Sequence, residues 1–533
     1  MPEPRVLIVG AGVGGIMLGC KMQLQAGFTN YMIYEKNESL GGTWFQNTYP
    51  GVGCDVECHF YSFSFNRNPN WSRRFAGQEE ILEYVKETAD KFGVTEHVRL
   101  NTEVLGAKWI AEEEVWRVRL RDVQTGVEFT REAEIFISAV GVFGQPRDCD
   151  IPGHDEFEGR IVHTARWDNK LDLTDKRVAV VGNGCSAAQL VPAIAPKVKN
   201  LVQFQRTPQY FFERPNREFS SLEKFLFKNI PLWQRIYRYS IYHEADSLHG
   251  TYLADTQAHI KQRENQEKHA LDYMKRTAPK KYWDILTPDF PVGCKRRIFD
   301  PGYLASLHRD NVYLTTDRIA RITKDSIITN SGEEYKVDAI LLATGYKVQD
   351  FLAPMEIIGK NGISLNRHWE ETNGAQAYKS CYVNGFPNFG IVFGPNSFPA
   401  HNSVIYTNEV SSDYLIKSMI RPITEGNFKV IEVKESAEMA DCTLMQNKLR
   451  GTVWSETCKS WNVNSMGRNT TSYYDYAYKF WYNLYWPVWK DFELTGVQSK
   501  PPQHPIASAL QTGLALSAAT AATAVATFYY LGM

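Results

Sequence analysis

The sequence has almost no net charge: 59 Lys and Arg stand against 60 Asp and Glu, leaving −1. It therefore lacks the basic field that phosphate backbones require, which argues against nucleic acid as a partner. None of the nine cysteines stands at a zinc-type spacing, and the closest pair is Cys54 and Cys58. No metal site is expected, and an odd count at irregular spacing predicts reduced thiols in the cytoplasm. No secretory leader is expected, because the apolar run Val6-Leu7-Ile8-Val9 begins within five residues of the first. Charge is missing altogether from Ile506 to Met533, beyond the helix-breaking Lys500-Pro501-Pro502-Gln503-His504-Pro505. That apolar C-terminal tail is long enough to span a bilayer but is rich in Ala, Thr and Ser. Membrane association through residues 506–533 and a helix packed on the body both stay open.

What is present is a large soluble-type composition. At 533 residues, with 43% hydrophobic and 22% charged residues, the chain exceeds one core and predicts two or three domains. Val6 to Val9 run into Gly10-Ala11-Gly12-Val13-Gly14-Gly15 and then a helical pattern. Strand, G-x-G-x-x-G and helix in this order predict a dinucleotide site. Gly10, Gly12 and Gly15 permit a tight turn and bring pyrophosphate to backbone N–H groups at the helix N-terminus. The next strand, Tyr31-Met32-Ile33-Tyr34, ends in Glu35, whose carboxylate can accept hydrogen bonds from a ribose. By itself this motif does not separate FAD from NAD.

A second device of the same kind follows. Arg177-Val178-Ala179-Val180-Val181 feeds Gly182-Asn183-Gly184-Cys185-Ser186-Ala187-Ala188, and the strand after it ends in Arg206-Thr207. An acid at this place favours a free ribose, whereas Arg206 can pair with a 2′-phosphate. The contrast assigns FAD to the first site and NADPH to the second.

Between the two lies Phe157-Glu158-Gly159-Arg160-Ile161-Val162-His163-Thr164-Ala165-Arg166-Trp167-Asp168. The pattern carried by Phe157, Gly159, His163, Trp167 and Asp168 resembles the fingerprint of type I Baeyer–Villiger monooxygenases. The stretch from Gly41-Gly42-Thr43-Trp44 through Tyr49-Pro50-Gly51 to Asp55 resembles the same family's second pattern at every specified position. So does Lys295-Arg296-Arg297 with Asp300 and Gly302-Tyr303, except that His308 replaces the usual Asn. The resemblance covers the chain to about residue 500.

It implies an α/β fold of two Rossmann-like dinucleotide-binding domains, to which the residues themselves add a helical insert and, outside the resemblance, the apolar tail. Residues 1–150 and 336–500 would form the FAD domain, with the strand in Asp338–Tyr346 returning the chain to it. Residues 151–209 and 291–335 would form the NADP domain, with 210–290 as the helical insert and 501–533 as the tail. The insert is expected to bury one apolar stripe, or to serve as a lid or pocket wall. Trp116, Val118 and Leu120 alternate with Arg117, Arg119 and Arg121, which predicts a hairpin with one wet face.

The implied activity is insertion of one oxygen atom of O2 beside a ketone carbonyl, through a peroxyflavin, with NADPH as reductant. By the same resemblance Thr43, Trp44, Asp55, Tyr61 and Val104 line FAD, and Lys295 helps Arg206 with the 2′-phosphate. Arg296 is the active-site cation with Asp55 orienting it, although Arg297 leaves a one-position slip open. His163 couples domain movement to NADP retention. Gly394-Pro395-Asn396-Ser397 resembles a flavin-proximal loop, and Ser460-Trp461 with Gly467–Thr470 resembles a C-terminal segment of some members. The aromatic residues from Tyr473 to Trp489 are expected to be core for the most part, with a substrate-channel wall as the alternative. Two rivals remain: an N- or S-oxygenating flavin monooxygenase, and a non-catalytic FAD-binding redox sensor. A disulfide reductase is disfavoured, because Trp44 stands where its redox Cys pair would begin.

Overall fold

A computed structural model describes residues 5–455, 458 and 460–499. The tail at 501–533 lies outside the described residues. Two five-stranded parallel sheets organise the chain. The first has the order Phe389–Ile391, Ile135–Ser138, Val6–Val9, Tyr31–Tyr34, Val98–Arg99. Val6 to Val9 and Ile135 to Ser138 are buried at every position, as expected of parallel strands covered on both faces. The helix Val13–Ala26 packs on this sheet and against the buried helix Val404–Leu415.

The second sheet has the order Val312–Thr315, Asn200–Phe204, Arg177–Val181, Ala339–Leu342, Arg160–His163. One expectation needs correction here. The strand Ala339–Leu342 does not return the chain to the first sheet; it pairs with Arg177–Val181 and Arg160–His163 in the second. The first sheet is re-entered only at Phe389–Ile391. An apolar strand of four residues fits either sheet, and its partners are set by packing alone.

The expected hairpin is present, with Val115–Asp122 antiparallel to both Thr102–Ile110 and Glu128–Ala133. Trp116, Val118 and Leu120 are fully buried beneath it. The insert is helical over Ser221–Asn229, Trp233–Ser247 and Gln257–Thr277. Its first two helices bury less of their apolar surface than expected: Phe227 is buried, whereas Leu222, Phe225, Trp233 and Ile236 are exposed. In contrast, Tyr473, Phe480 and Trp481 do join the core.

The thiol expectation is also corrected. Cys294 and Cys458 form a disulfide across 164 residues, while the other seven cysteines are free. Nothing in the local spacing of either residue announces a partner so distant. Among the described residues no helix is long and apolar enough to cross a membrane.

The two sheets meet through a loop that allows very close approach. Gly51 has φ +83°, and a Cβ there would stand 2.5 Å from the Gln189 carbonyl oxygen of the helix Cys185–Ile194. Tyr49 donates to Gln189 Oε1 at 2.7 Å, and Gln189 Nε2 donates to the Gly53 carbonyl at 2.8 Å. Gly51→Ala should therefore lower the thermal midpoint by the equivalent of ~1–3 kcal/mol through backbone strain and overpacking. An unchanged midpoint in a thermal melt would contradict this contact.

Candidate functional site

Both glycine turns open onto one cavity of about 1620 Å³ between the sheets. On the first side Gly10, Gly12, Glu35, Thr43, Trp44, Asp55, Tyr61 and Val104 all line it. Gly12 caps the helix Val13–Ala26 with no side-chain hydrogen bond, so the first-turn N–H groups have no side-chain competitor. A Cβ on Gly42 would stand 2.8 Å from the Gly12 Cα, so the turn is a cradle that only glycines leave open. Glu35 is buried, accepting from the Ala11 amide at 2.8 Å and the Asn37 amide at 2.9 Å. Asn408 lies on the same wall with a buried Oδ1 that has no partner among the described residues. An uncapped helix start, a cradle a Cβ would fill and an orphaned acceptor together fit a bound dinucleotide such as FAD.

Trp44 and Tyr61 form the aromatic part of that wall. The indole N–H donates to the Tyr61 hydroxyl at 3.1 Å, and the rings meet edge-on at 5.6 Å. Gly15 does not reach the cavity; it is buried beneath the turn, where a Cβ would collide with the Gly10 carbonyl oxygen.

On the second side Gly182, Asn183, Gly184, Cys185, Ser186, Arg206 and Thr207 line the cavity. Ala187 and Ala188 are buried under it. Gly184 caps the helix Cys185–Ile194, again without a side-chain bond. Asn183 donates to Gln205 Oε1 at 2.9 Å and to the Thr207 carbonyl at 2.7 Å, which fixes the segment carrying Arg206. Lys295 also lines the cavity, its ammonium 4.8 Å from the Phe290 ring centroid. Burial, reinforced by the charge of Arg206, lowers its pKa below the usual lysine range. Two cations that repel one another fit a ligand carrying a phosphate, as NADP does. Burial pushes the Cys185 thiol up to about 11, so it stays protonated at neutral pH.

Where the two sides meet, Arg296 and Asp55 form a bidentate pair, with Nε and Nη2 donating to the carboxylate at 2.8 Å each. Their side chains are 29% and 22% exposed, which leaves both accessible from the cavity. Burial alone would lower the Arg296 pKa; the charge and hydrogen bonds of Asp55 outweigh it and leave the pKa raised. The Arg296 guanidinium lies 5.7 Å from the Phe398 ring centroid. Arg297 turns away, buried between Phe212 at 5.6 Å and Phe299 at 5.9 Å. Of the two arginines, Arg296 is the one that lines the cavity.

The chain belongs to the flavin-binding monooxygenase-like family. That family's sequence pattern matches residues 3–368. A Baeyer–Villiger monooxygenase of Streptomyces coelicolor is 34% identical over 477 residues, covering 88% of each chain. The crystal structure of OTEMO in complex with FAD and NADP superposes with a TM-score of 0.81 at 25% identity, over 93% of this chain and 100% of that one. Cyclohexanone monooxygenase from Rhodococcus sp. Phi1 bound to NADP+ gives 0.79 at 26% identity, over 92% and 100%.

The fingerprint residues of this flavin-binding monooxygenase-like chain, Phe157, Gly159, His163, Trp167 and Asp168, do not line the cavity. They lie along the edge strand Arg160–His163 and just beyond its ends, with Asp168 accepting from Arg160 at 2.9 Å. His163 is buried beside Leu342 in the sheet register and accepts from the Ala165 amide at 3.0 Å. Burial lowers its pKa, so it is neutral at neutral pH. Its ring lies 6.3 Å from that of Tyr346, whose hydroxyl donates to Asn47 on the first side at 2.7 Å. The fingerprint thus touches the seam between the sheets and not the reacting space.

Asn396 and Ser397 are buried, with Asn396 donating to the Asn469 and Ser472 carbonyls. Their neighbours Phe393 and Phe398 line the cavity instead, as do Ser460 and Trp461. None of residues 210–290 lines it, so the insert forms no part of the pocket wall, one of the alternatives open for it.

Arg214 was not expected at all. Its Nη2 donates at 2.7 Å to the carbonyl of Cys54, the residue before Asp55, and its guanidinium stacks 5.0 Å from Phe75. No motif marks it, because its role depends on a loop 160 residues away.

Because Lys295 loses its proton at lower pH than a free lysine, the KM for NADPH should rise on the alkaline side. Lys295→Arg, which stays charged, should flatten that rise. A KM profile unaltered by Lys295→Arg would show that this ammonium does not meet the cofactor.

Proposed function

We propose that the Arg296–Asp55 pair is the charge centre of a Baeyer–Villiger oxidation. The chain is an FAD- and NADPH-dependent monooxygenase that inserts one oxygen atom of O2 beside a ketone carbonyl, giving an ester or lactone. FAD, when bound and reduced by NADPH, supplies the activation of O2. The observation that carries the residue assignment is a bidentate, cavity-facing ion pair at the meeting point of two dinucleotide cradles.

In this reading Arg296 holds the negative charge that oxygen chemistry places in the cavity and that then builds on the ketone oxygen. Asp55 fixes the guanidinium plane and keeps it protonated, and Arg214 positions the Asp55 loop. Trp44, Tyr61 and Phe398 exclude water, which would otherwise solvate and protonate the oxidant. Gly10, Gly12, Glu35, Thr43 and Val104 hold FAD; Gly182, Asn183, Gly184, Ser186 and Thr207 hold NADPH, with Arg206 and Lys295 on its 2′-phosphate. His163, neutral and off the cavity, transmits movement of the second sheet to the first through Tyr346 and Asn47. The division of labour follows the two sheets, with the strand Ala339–Leu342 counted on the NADP side. An enzyme that draws on NADPH works where that reductant is supplied, which supports the cytoplasm as its compartment.

Arg296→Ala and Asp55→Ala should each retain the bound-flavin absorbance yet lose ester formation by about 10²–10³-fold. NADPH consumption should divert to H2O2. Product analysis by gas chromatography decides it: undiminished ester from Arg296→Ala overturns the assignment, and sulfoxides or N-oxides as the sole products favour the heteroatom-oxygenating rival. In Arg206→Ala the KM for NADPH should rise ~10-fold or more, the scale of one charged hydrogen bond, with NADH hardly affected. An equal change for NADH and NADPH would remove Arg206 from the phosphate site.

A further inference from the structure

The helices Ser221–Asn229 and Trp233–Ser247 form a hairpin fixed to the body by one face only. On the inner face the Phe227 ring meets His59 at 4.3 Å, Gln234 donates to the Asn68 carbonyl at 2.7 Å, and Arg238 donates to the carbonyls of His59 and Ser62. The hairpin is therefore firmly seated, and its outer face is a built surface. That face carries Leu222, Phe225, Ile230, Leu232, Trp233 and Ile236, all between 40% and 66% exposed. Leu222 and Phe225 are three residues apart on one helix, as are Trp233 and Ile236 on the other, so each pair shares a side of its helix. Ile230 and Leu232 sit at the tip between them.

Cations predominate around this patch. Lys224, Lys228 and Arg235 lie within the hairpin, and Arg67, whose pKa is lowered by burial and then by the charge of Arg235, stands nearby. Of the acids in the two helices, Asp246 is buried, exposed Glu244 lies at the end away from the tip, and Glu223 lies within the patch. It is already engaged by Arg217 at 2.6 Å and by the Ser220 cap. An apolar face with a Trp at its tip and a cationic rim is the pattern of a segment that lies in a membrane interface. Protein monomers rarely leave so contiguous an apolar surface uncovered. A single such contact binds reversibly, and stable attachment takes two. The sequence supplies a second candidate in the uncharged stretch Ile506–Met533.

We propose that this hairpin is a peripheral docking surface for a bilayer containing anionic phospholipid, with the apolar side chains entering the interface and the cations meeting the headgroups. The rim cations select an anionic surface, and the seated inner face holds the patch in register without folding on contact.

The test is flotation of the full chain with vesicles of phosphatidylcholine alone and of phosphatidylcholine with phosphatidylserine. The wild-type chain should float with the anionic vesicles, and partition should fall at least tenfold at about 0.5 M salt. The triple variant Phe225→Ser, Trp233→Ser, Ile236→Ser should lose roughly tenfold or more in partition, with NADPH oxidation and thermal midpoint unchanged. Lys224→Glu with Lys228→Glu should lose binding to anionic vesicles selectively. A parallel tail variant, Leu514→Asp with Val525→Asp, separates the two apolar segments. The proposal is overturned by absence of flotation, or by loss of flotation in the tail variant alone with the triple variant still bound. It is also overturned if the only effect of the triple variant is a smaller particle mass by light scattering, which would make the patch a contact between two copies.

Discussion

The structure depends on one charge pair, Arg296 with Asp55, made between residues 241 apart in the chain. A guanidinium in a partly dehydrated cavity is unfavourable alone; a carboxylate in bidentate register restores its protonation and fixes its plane. The surroundings serve that geometry. Arg214 holds the backbone of Cys54 from one side, Phe398 lies beside the guanidinium, and the Cys294–Cys458 disulfide ties the turn before Arg296 to the segment bearing Ser460 and Trp461.

Two dinucleotide cradles give that pair its setting. Each is a strand, a glycine turn and an uncapped helix start, and each opens on the same cavity. Contacts across the seam include Tyr49 and Gly53 to Gln189, Tyr346 to Asn47 and the Arg296–Asp55 pair itself. The fingerprint residues sit beside this seam, which gives a physical reason for a motif that touches neither cradle. Gly51 allows the loop bearing Asp55 to pass within backbone contact of the second sheet's helix.

The helical insert shows how a composition reading and a packing outcome diverge. Its apolar residues are abundant and helically spaced, and that pattern predicts burial. The structure buries Phe227 and Ile241 but turns Phe225, Trp233 and Ile236 outward, because polar anchors such as Gln234 and Arg238 occupy the inner face. Which side of an amphipathic helix meets the body is settled by the partner, and the body here presents the carbonyls of residues 59 to 68.

The sequence by itself determined the parts that a few neighbouring residues encode. The glycine turns and their helix starts, the acid at Glu35 against the cation at Arg206, and the wet-faced hairpin around Trp116 all follow from local backbone geometry and short periodicities. Only the tertiary structure decided the rest. Adjacent side chains of an extended segment point opposite ways, so Arg296 faces the cavity and Arg297 enters a phenylalanine sandwich. A four-residue apolar strand fits any sheet, so Ala339–Leu342 joined the second. The disulfide, the Arg214 support and the exposed hairpin each depend on segments brought together across tens to hundreds of residues. No local pattern records such meetings, because packing of the whole chain selects them.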